Sequence, residues 1–116
     1  MLFRQSTMLE LRKKDQDELC NLAKKSFNSP MEIWAFGSRV NGDNHDASDL
    51  DLVVRKEALL ALDWEELAGF QASIRESTIP ILVQVFDWNS LPPSFHTNIQ
   101  KKYEVLFSTI NKKSTV

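Results

Sequence analysis

The sequence has one cysteine, Cys20, so no internal disulfide can form, and with only two histidines it lacks a Cys/His framework for a structural metal. No apolar run approaches the length of a membrane-spanning helix, and the opening Met1-Leu2-Phe3-Arg4-Gln5-Ser6-Thr7 lacks the long apolar centre of a secretory leader. A cytoplasmic location is the expectation. Nor is there a block of Lys and Arg: 14 basic residues stand against 16 acidic ones, for a net charge of −2 and a pI near 5.6. Without a phosphate-neutralising surface, direct binding of nucleic acid is not expected. Internal repeats and low-complexity segments are also absent, and 116 residues suffice for one core but not for a separate substrate domain. One domain over 1–116 is expected, with 1–7 and 108–116 frayed at its ends. A large substrate would have to be held by a partner.

What is present centres on two stretches, Trp34-Ala35-Phe36-Gly37-Ser38-Arg39 and, after ten residues intervening between Ser38 and Asp49, Asp49-Leu50-Asp51-Leu52-Val53-Val54. The first reads as a short apolar strand entering a Gly-Ser turn, where exposed backbone N–H groups can face an anion. In the second, Asp49 and Asp51 lie two apart on a strand. Both carboxylates then leave one face, about 6.6 Å apart along the chain, while Leu50 and Leu52 enter the core. Such a pair repels itself unless a cation such as Mg²⁺ sits between the two groups. Either piece alone is more often a turn or the wet face of a sheet. In order, with a strand before each, they outline a phosphate and metal site.

The remaining chain reads as scaffold. Residues Met8 to Phe27 form an amphipathic helix with Asp15 and Asp17 near its start, and Cys20 packs within it. Asn28-Ser29-Pro30 stops it before the first strand, Met31 to Phe36. Asn41-Gly42-Asp43-Asn44-His45-Asp46 is a turn-rich loop whose His45 has no partner to make it a ligand, and the same holds for His96. Asp49 to Arg55 is the second strand. Asp63, with Glu66 three residues on, starts a helix that buries Leu67, Phe70 and Ile74, with Trp64 also read as core. Ile81 to Phe86 is a third strand closed by Asp87-Trp88-Asn89-Ser90. Pro92-Pro93 opens a helix with Ser90 or Leu91 just outside and Phe95, Ile99 and Tyr103 on one side. Glu104 to Phe107 is a last edge strand.

From about Leu19 to Phe107 the chain resembles the nucleotidyltransferase superfamily that includes the DNA polymerase β palm. The resemblance rests on Gly37-Ser38, ten intervening residues, then Asp49-x-Asp51. The wording around those residues is most similar to the minimal nucleotidyltransferase branch, the antitoxin-like partners of HEPN-domain proteins. The resemblance implies an α/β (α+β) fold, a small mixed sheet with helices packed on it. It implies catalytic, metal-holding Asp49 and Asp51, nucleotide contacts from Gly37, Ser38 and Arg39, and Mg²⁺ (or Mn²⁺) with ATP or another NTP as substrate. Arg39 suits a triphosphate oxygen; its other reading is a solvated surface arginine. The implied reaction is transfer of NMP, in the first instance AMP, to a hydroxyl on a HEPN partner, which would make the chain an antitoxin.

One position departs from that pattern. The family's third carboxylate falls on Gln84, whose carbonyl can hold Mg²⁺ weakly but carries no charge and cannot act as a base. Asp87 is the nearest acid, yet it differs from 84 by an odd number and a regular strand turns it to the other face. Nucleotide binding is then expected to survive better than chemistry. The alternative is a catalytically impaired nucleotide-binding protein that neutralises its partner by contact alone.

Overall fold

A computed structural model describes residues 11–37, 40 and 49–110. Ser38, Arg39, the turn-rich loop through Ser48 and the segments 1–10 and 111–116 lie outside the described residues. Helix α1 (Lys13–Ser26) leads into β1 (Met31–Phe36), then β2 (Leu50–Lys56), α2 (Trp64–Arg75), β3 (Val83–Asp87), α3 (Pro93–Lys101) and β4 (Glu104–Ser108). The four strands form one mixed sheet in the order β3-β2-β1-β4. Strand β1 is antiparallel to both β2 and β4, whereas β2 and β3 run parallel. A parallel pair needs a crossover, which α2 supplies.

The sheet buries both faces. Met31, Ile33, Ala35, Leu50, Leu52, Val54 and Val85 pack with Leu19, Ala23 and Phe27 of the α1 region and Phe70 and Ile74 of α2. On the opposite face Trp34, Phe36 and Val53 pack with Trp88, Ile99 and Phe95. This alternation, with helices or turns on both faces, explains the all-buried pattern of β1, one of the two inner strands.

A charged and aromatic cluster fastens the second face at the far end of β1 from Gly37. Glu32 and Arg55 are cross-strand partners, with Arg55 Nη1 3.5 Å from Glu32 Oε1. Trp34 Nε1 donates to Glu32 Oε1 at 2.9 Å, and the Arg55 guanidinium lies 4.2 Å from the Trp34 ring centre and 4.4 Å from that of Trp88. The two rings, edge to face with centres 5.5 Å apart, add cation–π contacts to this ion pair, while Arg55 Nε is buried without a hydrogen-bond partner among the described residues. Glu32→Ala is expected to cost about 3 kcal/mol in urea unfolding, because it strands a largely buried guanidinium and an indole N–H. A cost below about 1 kcal/mol would show that the rings alone hold Arg55.

Several boundaries differ from the sequence reading. Helix α1 starts at Lys13 because Arg12 is extended, its guanidinium bonded to Asp15 at 3.0 Å, so Asp15 sits in the first turn. Asp63 does cap α2, accepting from the Glu65 N–H at 2.9 Å, but Glu66 reaches across to the Asn28 N–H at 3.1 Å instead of closing a box. Trp64 is 73 % exposed. It lies in the first turn, roughly 90° around the helix from the stripe of Leu67, Phe70 and Ile74 at 100° per residue. Helix α3 is capped by Pro92, since Trp88 to Ser90 form a short 3₁₀ turn, and it ends at Lys101 because Lys102 is extended. Tyr103 therefore leaves the helix and stacks on Trp34, ring centres 3.9 Å apart. Fraying expected from Ser108 is also corrected: Ser108 closes β4, and Thr109 is tied to Met31 by three bonds of 2.9, 3.1 and 3.4 Å.

Candidate active site

Strand alternation and register bring the predicted residues together. Asp51 is the antiparallel partner of Phe36 and the parallel partner of Gln84, so Phe36, Asp51 and Gln84 form a row across one face. Asp49 precedes β2 by one residue and joins this row through Gln84, whose Nε2 donates to Asp49 Oδ2 at 2.8 Å. The residue aligned with a carboxylate on sequence grounds thus lies against the aspartate pair. Its amide hydrogen offsets part of the negative charge there.

Gly37 follows β1 with φ of +90°, a region that L side chains rarely adopt. A Cβ built on it would meet Asp51 Oδ2 at 2.6 Å. Glycine is required here on two counts, by its backbone and by the carboxylate packed where a side chain would be. Asp51 itself is half-buried, and that burial, with the neighbouring Asp49 charge, holds its carboxyl above the usual aspartate range. Deprotonated Asp51 is thus in want of a cation. Ser38 and Arg39, the other predicted nucleotide contacts, lie outside the described residues.

Asp87 does turn away, as its parity requires. Its carboxylate accepts from the Asn89 N–H at 3.1 Å and the Ser90 hydroxyl at 3.2 Å, which starts the 3₁₀ turn. His96 is engaged structurally: it stacks on Trp88 with ring centres 3.8 Å apart and its Nε2 lies 2.6 Å from the Trp88 carbonyl oxygen. Among the described residues no group of three or more His, Cys, Asp or Glu side chains could hold a metal. Two carboxylates, however, suit Mg²⁺, which usually takes one or two protein carboxylates and fills its shell with phosphate oxygens and water. Asp49 and Asp51 fit that pattern.

Sequence reasoning missed a cavity beside this row. About 290 Å³ in volume, it is bordered by Phe36 and Gly37 on the strand side and by Phe95, Asn98, Ile99, Lys101 and Lys102 on the helix side. A signal did exist: Phe95, Asn98 and Ile99 follow the i, i+3, i+4 spacing of one helix face, with a carboxamide where a buried stripe would be apolar.

Gln84→Asp is expected to lower the melting temperature in EDTA, by removing the amide donor and adding a third carboxylate, and to make stability depend more steeply on Mg²⁺. About 1 kcal/mol of metal-free destabilisation is anticipated. Thermal melts with and without Mg²⁺ check this. Equal curves for both proteins in both conditions would place residue 84 outside the metal's reach.

Residues 17–112 match the family described as Polymerase beta, Nucleotidyltransferase. The chain is 36 % identical over 74 residues to the Haemophilus influenzae protein named "Probable protein adenylyltransferase MntA", an alignment that covers 64 % of this chain and 63 % of that one. The chain therefore spans somewhat under two thirds of that relative's length. A solved structure described as "Crystal structure of the toxin-antitoxin with AMP-PNP" superposes with a TM-score of 0.66 at 19 % identity, over 82 % of this chain and 74 % of that chain. At that identity the likeness concerns the fold.

Proposed function

The chain belongs to the polymerase β-type nucleotidyltransferase family, and we propose that it transfers AMP from ATP to a hydroxyl on a partner protein, a HEPN-type toxin, and so acts as its antitoxin. The observation that carries this reading is the row of Phe36, Asp51 and Gln84, with Asp49 bonded to Gln84 and Gly37 packed against Asp51. The protein acceptor is supported by the MntA relative, named as a protein adenylyltransferase, and the toxin by the structural neighbour, described as a toxin-antitoxin. Dependence on ATP agrees with a cytoplasmic location, and no helix among the described residues is long and apolar enough to cross a membrane.

Asp49 and Asp51 would hold Mg²⁺, which when bound neutralises charge on the phosphates. The turn of Gly37, Ser38 and Arg39 would receive the triphosphate tail through backbone N–H groups and the Arg39 guanidinium. In the transfer the acceptor oxygen bonds to the α-phosphorus, the bond to the bridging oxygen breaks, and pyrophosphate leaves with the electron pair. The acceptor's proton passes to solvent, since Gln84 cannot take it. A phenolic acceptor suits this site better than an aliphatic hydroxyl, its reference pKa being about 10.

Incubating the complex with ATP labelled at either the α or the γ phosphate tests the reaction. Label on the partner from α but not from γ is the expected result; label from γ would make the chain a kinase, and label from neither would remove the chemistry. The second reading, neutralisation by contact alone, is favoured by the uncharged Gln84. It also draws on exposed Leu60, Trp64 and Leu82, apolar side chains suited to a protein interface.

A further inference from the structure

The cavity between the end of β1 and α3 touches the carboxylate row at two points. Phe36 is a wall of the cavity and the cross-strand partner of Asp51. Gly37 is a second wall, and Asp51 Oδ2 occupies the space beside it. The cavity thus adjoins the row of Asp49 and Asp51 through Phe36 and Gly37.

The lining specifies the chemistry of that extension. Phe36 and Phe95 meet edge to face, ring centres 6.1 Å apart, and with Ile99 they form an apolar floor. Among the described residues the polar lining is Asn98, Lys101 and Lys102, with no acidic residue. Apolar aromatic walls favour a flat ring, a carboxamide pairs with a ring edge that both donates and accepts, and the lysines favour an anion nearby. At about 290 Å³ the space takes one small ligand group, not a docked helix.

Resting on the AMP-transfer reading above, we propose that this cavity is the nucleobase subsite, with Asn98 selecting adenine. Adenine presents an acceptor and an amino donor side by side, the pattern that an Asn side chain matches with two hydrogen bonds. Phe36 and Phe95 supply the apolar surface for the ring. Lys101 and Lys102, in and just past the last turn of α3, draw the phosphate tail toward the Gly37 turn.

Calorimetric titration of the full chain with ATP, GTP, CTP, UTP and inorganic tripolyphosphate, each with Mg²⁺, separates the possibilities. Wild type is expected to bind ATP most tightly. Asn98→Ala, at an exposed position, should weaken ATP about tenfold and bring it level with the other nucleotides, the loss of one two-bond base contact. Phe95→Ala should weaken all four nucleotides, while tripolyphosphate binds both variants as it binds wild type. ATP affinity unchanged in both variants would overturn the subsite. So would variants that bind ATP normally but no longer hold the partner, since the cavity would then receive the acceptor segment. Wild type that binds tripolyphosphate as tightly as ATP would retain the phosphate site and remove the base site. Wild type that binds none of the five would overturn the AMP-transfer reading itself, and the subsite with it.

Discussion

Asp51→Asn is expected to abolish transfer while raising the melting temperature of the metal-free chain. The carboxylate is half-buried beside Asp49, and burial first, then that neighbouring charge, raises its pKa in the fold. A group that binds its proton more tightly when folded makes stability fall as pH rises from the unfolded carboxyl range, about 3.9, through the raised value. At neutral pH the folded chain therefore carries an unfavourable charge that asparagine lacks. The gain should stay below about 1 kcal/mol because the group is partly solvated, a rise of up to about 5 °C in Tm. In EDTA the wild-type and variant melts should converge below about pH 4 and separate as pH increases. Activity should fall at least a hundredfold, roughly the upper end of what losing even an outer partner of a metal ligand costs. A lower Tm for the variant at pH 7 would show that Asp51 makes a favourable interaction that outweighs its burial.

Gly37→Ala should lose both activity and stability. The backbone there has φ of +90°, and the added methyl would stand 2.6 Å from Asp51 Oδ2. Conformational strain of about 1–3 kcal/mol is expected. Relief of the clash by rotating Asp51 takes its carboxylate out of the row with Asp49 and Gln84, so transfer should fall about as far as for Asp51→Asn. Gly69→Ala is the control: its Cβ would have no neighbour within 4 Å, and it lies inside α2. That change should be neutral or stabilising by up to about 1 kcal/mol. Full activity in Gly37→Ala would mean that the glycine serves the turn only and that Asp51 is not confined by it.

These two predictions rest on features that differ in how far the sequence shows them. The facing of Asp49, Asp51, Leu50 and Leu52 follows from alternation alone, because a strand offers only two sides. Gln84 could be set beside the pair only by resemblance; in the structure the β2–β3 register pairs it with Asp51. The close approach of Asp51 to Gly37 is a contact between strands and has no local signature. Trp64 and Tyr103 depart from their helical spacing for related reasons. A hydrophobic side chain near a helix end is buried only if the helix has already reached the sheet, and a helix stops where its chain must turn to pair. Tyr103 leaves α3 because β4 begins at Glu104, opposite Ala35. Arg55 likewise reads as a strand-end charge, yet two tryptophans from β1 and the 3₁₀ turn close around it.

The contact-only reading and the transfer reading share the fold, the aspartate pair and a partner, so binding alone does not divide them. The dividing measurement is the intact mass of the proposed HEPN-type partner after incubation with ATP and Mg²⁺, with wild type and Asp51→Asn in parallel. Transfer predicts one or more added AMP units on the partner with wild type and none with the variant, while both proteins still form the complex. An unmodified partner with wild type, in a stable complex that binds ATP, would contradict it and leave a chain that silences its partner by contact.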